Sequence, residues 1–265
     1  MEIPMRFHNR LLPIVTITGS SLMVGCGGNN GGSCGFGSSF GSSGGCSGPV
    51  VITGDGYYEG TLTGQGNAQA LPVVSIIADN GDGTIAGQDG TYYRLNVSLP
   101  KNNVTGTYFA LSLGPKFPNG TQATSGSISA VATPNLSGTL SDQTGATESL
   151  AFNFDPVYNL GSSLATLAGT WNYTAASGFS LAATIRPDGT FSANDSNNCT
   201  YSGAFGLIDP NFNAYSESYT RSCNGVNVTF TGLATYFPPS GNAKNADIKI
   251  MADDNTTEFL VADLQ

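Results

Sequence analysis

The 265-residue chain has one histidine, His8, which lies near its start. Residues 26–265 therefore offer no imidazole for a serine–histidine–acid triad, a histidine general base or a histidine-ligated metal. The carboxylates there are scattered singly, without the paired spacing that acid–base hydrolysis needs. We expect no catalytic residue and no enzymatic activity. Asp79-Asn80-Gly81-Asp82-Gly83 gathers oxygens that suit a hard cation, as does Asp253-Asp254-Asn255. Neither has the spacing of a calcium loop, and tight turns account for both, so no metal and no cofactor are expected. Glu217 and Arg221 are more suggestive, because they share with Tyr215 and Tyr219 the face of a strand that register places inward. Inside a small barrel such charges need partners and mark a ligand or partner contact. At an open end they form a solvated pair, and the pair at the barrel mouth is the expectation we carry forward.

The five cysteines divide as one, two and two. Positions 199 and 223 are centred on 211, the middle of the turn sequence Asp209-Pro210-Asn211-Phe212-Asn213. Folding the chain about Asn211 sets Cys199 opposite Cys223, Tyr201 opposite Arg221, Gly203 opposite Tyr219 and Leu207 opposite Tyr215. Opposed α-carbons on antiparallel strands lie about 4.5–5.5 Å apart, within reach of a disulfide. The spacing thus predicts a Cys199–Cys223 bridge across one hairpin. Cys34 and Cys46 could close a second, smaller loop, and Cys26 stands apart at the end of an apolar run.

The elements that position these residues are strands. From Val50 onward apolar residues recur with period 2, as in Tyr93/Leu95/Val97/Leu99, Leu150/Phe152/Phe154 and Ala246/Ile248/Ile250. One dry face and one wet face mean antiparallel sheet. The fold class predicted is all-β and antiparallel: two tandem barrel- or sandwich-like lobes, 50–158 and 164–265, with a helical turn near Ser162–Ala168. The halves resemble each other. Asp82-Gly83-Thr84-Ile85 answers Asp188-Gly189-Thr190-Phe191, and Gly56-Tyr57-Tyr58 answers Gly169-Thr170-Trp171. The paired tyrosines 57–58 and 92–93 are read as structural, since aromatics suit strands.

Ahead of the lobes, Gly27–Gly48 holds ten glycines and six serines in 22 residues. Composition makes it a linker with an r.m.s. reach of about 25 Å. Residues 1–25 have a basic start (Arg6, Arg10), a 14-residue apolar run from Leu11 to Val24 and a small residue, Gly25, at the cut site. The run is too short to span a bilayer. Leu22, Gly25 and Cys26 fit the lipobox, so the chain resembles bacterial lipoproteins. That resemblance implies lipidation (palmitate) of Cys26, and Gly27 in place of aspartate implies delivery to the outer membrane.

Gly169-Thr170-Trp171 after a short helical turn is similar to the opening of lipocalin-like barrels. The C-terminal half also resembles the eight-stranded barrels of transferrin-binding lipoproteins. From residue 26 on, seven Lys/Arg stand against seventeen Asp/Glu, a balance of −10, which disfavours nucleic acid and direct contact with anionic lipid. These features point to a non-enzymatic, membrane-tethered binding lipoprotein whose partner is a protein or glycan, such as a surface ligand or a periplasmic toxin. The alternative is a carrier of a small hydrophobic ligand. Bulky inward positions (Phe179, Leu181, Phe205, Phe230) favour filled barrels.

Overall fold

The structure, a computed structural model, describes residues 54–64, 70–112, 124–175, 178–239 and 245–265. The segment read as a signal, Cys26, the stretch read as a linker and the proposed Cys34/Cys46 pair lie outside the described residues.

Eight strands form the first lobe: β1 (Gly56–Gly64), β2 (Leu71–Ile77), β3 (Asp82–Gly87), β4 (Thr91–Ser98), β5 (Asn103–Ser112), β6 (Thr124–Ala132), β7 (Leu136–Asp142) and β8 (Thr147–Asp155). Each pairs antiparallel with its chain neighbour, and β1 pairs with both β2 and β8, so the barrel closes and leaves no free edge. A 3-10 turn (Pro156–Asn159) and a four-residue helix, α1 (Leu164–Leu167), lead to the second lobe. The Ser163 hydroxyl caps α1 by accepting from the Thr166 backbone.

The second lobe is an eight-stranded antiparallel meander: β9 (Gly169–Thr174), β10 (Ser180–Ile185), β11 (Thr190–Asp195), β12 (Thr200–Leu207), β13 (Tyr215–Cys223), β14 (Val226–Phe237), β15 (Asp247–Asp253) and β16 (Phe259–Leu264). Its two edges meet at one residue pair, where Asn172 and Gln265 exchange backbone hydrogen bonds of 2.7 and 2.8 Å. The all-β, antiparallel, two-lobed class read from the sequence is the observed one, with barrels rather than sandwiches.

Inward side chains of the first barrel form one core (Tyr58, Ile85, Leu95, Ile128, Leu140, Phe152). Those of the second form another (Trp171, Ile185, Phe205, Tyr219, Phe230, Ile250). A third core lies between the barrels, built from outward-facing residues of both walls, among them Tyr57, Ile76, Tyr92, Leu233, Met251 and Phe259. Tyr92 stacks on Phe259 at 5.1 Å, and Tyr57 meets Phe237 edge-on at 5.0 Å. Such pairs contribute about 0.5–1.5 kcal/mol each beyond their buried area. The Tyr57-Tyr58 and Tyr92-Tyr93 doublets are thereby explained. Successive strand residues face opposite ways, so each doublet puts one ring in the barrel and the other between the lobes.

The internal likeness of the halves lands on matching elements, with one adjustment. Gly56 pairs with Ile77 just before the first β2–β3 turn, and Gly169 pairs with Ile185 just before the β10–β11 turn. Tyr58 and Trp171 then occupy matching inward positions. The Asp-Gly-Thr motifs do not coincide. The positive-φ turn residues are Gly81 and Gly189, and the side chains that cap the turns are Asn80 and Asp188. The structural counterpart of Asp188-Gly189-Thr190 is therefore Asn80-Gly81-Asp82, two residues before the sequence match. A two-residue slip preserves which face each side chain takes, so the pattern of apolar residues did not expose it.

Candidate functional site

The Cys199–Cys223 disulfide is present, with α-carbons 4.5 Å apart. The ladder beside it has the expected register: Tyr201 opposite Arg221, Gly203 opposite Tyr219 and Leu207 opposite Tyr215. A Cβ at Gly203 would come within 2.2 Å of the Ser218 carbonyl and 2.5 Å of Tyr219 Cβ, so only glycine fits under that ring. Asp209 shapes the turn by accepting from the Asn211 backbone at 2.8 Å.

The four candidate contact residues on β13 fare differently from the expectation of a solvated pair. Glu217 is only 4% exposed and sits inside the second barrel, opposite Phe205 on one side and Gly232 on the other. Its Oε2 has no hydrogen-bond partner among the described residues. Burial pushes its carboxyl up to about 8, so it is a neutral acid at neutral pH. Arg221 lies two strand periods further along and does not reach it. Its guanidinium donates to Glu258 at 2.5 Å and covers the Phe230 ring at 5.3 Å. The expected Glu217–Arg221 pair is thus corrected: two strand steps separate residues four apart, and the acid falls within the core while the base reaches the rim. Tyr219 stacks on Phe230 at 5.0 Å, and burial raises its phenol well above its ordinary value. Tyr215 is fully buried, and its hydroxyl donates to the Ser163 carbonyl at 3.3 Å, tying α1 to the barrel end. Both tyrosines are structural.

The interior around Glu217 is nearly full. A cavity of about 30 Å³ remains, lined chiefly by apolar side chains such as Leu181, Phe205 and Ile250, with Glu217 as its one carboxyl. That is room for about one water molecule. Trp171 packs in the same core, its indole donating to the Leu167 carbonyl at 2.8 Å.

The acidic turns hold themselves together. Asn80 Nδ2 donates to the Asp82 carboxylate at 2.8 Å, and Asn80 Oδ1 accepts from the Asp82 backbone at 3.0 Å. Asp254 Oδ1 accepts backbone N–H groups of Thr256, Thr257 and Glu258 at 2.8–2.9 Å. Among the described residues no group of three or more His, Cys, Asp or Glu side chains converges.

A more open concavity lies elsewhere, on the outer wall of the first barrel, with a volume of about 600 Å³. Register explains its floor. Asn96 on β4 stands opposite Thr107 on β5, Thr107 opposite Ser127 on β6, and Ser127 opposite Ser141 on β7. All four point outward, because their neighbours Leu95, Tyr108, Ile128 and Leu140 fill the core. A second row runs beside it: Arg94 opposite Phe109, Phe109 opposite Ser125, and Gln143 donating to Ser125 at 2.6 Å. At the lobe junction Arg94 is engaged by Asp253 at 3.2 Å and by Asn255. Sequence reasoning missed this surface. Its signal is neutral polar residues at outward positions of four adjacent strands, visible only once cross-strand register is known.

The fold thus defines a tandem pair of small up-and-down β-barrels, each with an apolar core, and a polar outer groove on the first. No family model and no curated protein matches the chain. Among solved structures it is similar to a provisionally named outer membrane protein from Bacteroides fragilis NCTC 9343. That similarity is 12% identity, with 80% of this chain and 96% of that chain covered and a TM-score of 0.27. A likeness at that level carries no argument about the chain's activity.

Proposed function

We propose that the protein is an exported, non-enzymatic binding protein, lipid-anchored to the outer membrane through Cys26, that recognises a protein or glycan of the cell envelope or beyond it. The observation that carries the binding role is the groove of about 600 Å³ on the first barrel, a size typical of ligand sites. The two outer walls press together over a shared core, giving the rigid support that recognition needs. Attachment through lipid alone is supported by the outward residues of β4–β7. A membrane-spanning barrel carries an apolar outer band, whereas Asn96, Thr107 and Ser127 stand exposed here. A carrier of a small hydrophobic ligand is disfavoured, because the free volume of about 30 Å³ in the second barrel is far below what such a molecule occupies.

The anchor is tested by labelling cells with a palmitate analogue and weighing the mature N-terminus. Incorporation at Cys26, and release of Cys26→Ser protein from membranes, is expected; a variant that stays membrane-bound contradicts the anchor. The binding role is tested by retrieving the tethered protein from native envelope with its partners, where retrieval of the protein alone counts against it.

A further inference from the structure

We propose that the outer groove of the first barrel binds a neutral oligosaccharide, an inference that rests on the binding role and names its ligand class and place. Strands lie about 4.8 Å apart, so the row Asn96–Thr107–Ser127–Ser141 lays hydroxyl and amide groups along about 14 Å. None of these four side chains bonds to a described residue, so their donors and acceptors are free for a polyhydroxylated ligand.

The charges beside the row are engaged. Arg94 is held by Asp253 and Asn255, and Asp82 by Asn80. Asp142 is turned into its own hairpin, accepting from Thr144 Oγ1 at 2.7 Å and from the Ala146 backbone at 2.9 Å. An anionic ligand would meet no free cation among the groove's described residues, and would face the Asp82 and Asp142 carboxylates, which keep their charge on neutral donors. A peptide adding itself as a strand would need an open edge, which the closed barrel lacks. A protein surface would need a cluster of aromatic anchors, and the outward rows here present one ring, the half-buried Phe109. One ring beside a field of neutral hydrogen-bonding groups suits a sugar, which offers a face of C–H groups to the ring and hydroxyls to the row.

The test uses the full-length protein in detergent and ligand-observed saturation-transfer NMR. The probes are maltohexaose, cellohexaose, laminarihexaose and, as the charged control, hexagalacturonate, each at about 10 mM, above the weak end of specific affinities. Two variants accompany the wild type: Ser127→Trp, which fills the floor from an exposed site, and the double variant Asn96→Ala/Thr107→Ala. Both are checked for unchanged Tm. The expected result is saturation of at least one neutral probe and none of hexagalacturonate, with affinity at least about tenfold weaker in both variants. Transfer to no neutral probe, or transfer undiminished by Ser127→Trp, overturns the assignment. Envelope partners retrieved equally by wild type and Ser127→Trp would remove the groove assignment while leaving the binding role intact. Retrieval of nothing by either, with no neutral probe bound, removes both.

Discussion

Replacing Glu217 by glutamine should change the pH dependence of stability in a defined direction. The carboxyl sits 4% exposed among apolar side chains, and burial raises it from its ordinary value of 4.5 to about 8. Between those values the unfolded chain releases the proton while the native barrel retains it. The native state binds more protons, so wild-type stability falls as pH rises from about 4.5 to 8 and levels off above. At 1.36 kcal/mol per pH unit the whole displacement corresponds to at most about 5 kcal/mol, and water entry into the small cavity reduces it. Glutamine has nearly the same shape and cannot ionise. Its amide also lacks a partner, so Glu217→Gln and wild type should be similar at pH 5. At pH 9 the variant should be more stable by at least about 2 kcal/mol, a Tm difference of roughly 4–8 °C. Urea unfolding at pH 5, 7 and 9, followed by Trp171 fluorescence and far-ultraviolet circular dichroism, measures both curves. Asp55 and the buried tyrosines titrate in both proteins and cancel in the difference. Curves that stay parallel from pH 5 to 9 would refute the buried neutral acid.

Two further outcomes follow from the same geometry. Replacing both Cys199 and Cys223 by serine opens a loop between residues 24 apart and should lower stability by roughly 3 kcal/mol in the chain-entropy model, measured by urea unfolding. Non-reducing peptide mapping should yield this pair, and a Cys199 peptide joined to Cys34 or Cys46 would contradict the hairpin. Arg94→Ala strips the fully buried Asp253 of its cation at the lobe junction and should cost about 2–4 kcal/mol, the exposed side of Arg94 tempering the loss. Adding Asp253→Ala should recover part of that cost, and additive losses in the double-mutant cycle would show that the pair is uncoupled.

Much of the fold was legible because one repeating rule governs it. Period-2 alternation with Asp/Gly/Asn turns identifies strands, and the spacing of Cys199 and Cys223 about Asn211 set the β12–β13 register to the residue. Where alternation ended, so did legibility. β2 reads Leu-Pro-Val-Val-Ser-Ile-Ile because both its faces are buried, one in the barrel and one against the second lobe. A lobe–lobe core of that kind requires knowing which walls meet. Glu217 was placed on the correct face, yet its depth along the strand was not readable, since Tyr215 and Tyr219 would flank it either at a mouth or in a core. Val226 shares the parity of the inward Phe230 on β14, yet is 62% exposed because its strand runs past the barrel end. The groove was hidden for a related reason. Asn96, Thr107, Ser127 and Ser141 are each ordinary surface residues, and only the pairing of four strands aligns them into one row.

The central claim is that this protein acts by binding through the outer wall of its first barrel. The most direct measurement places a photo-reactive benzoylphenylalanine at Gln143, on the groove rim, and in a second strain at Val226, exposed on the other lobe. Cells expressing the full-length protein are irradiated, and the adducts are resolved by mass. The account predicts a discrete adduct from position 143 and none from position 226. No adduct at 143, or equal adducts at both positions, would contradict it.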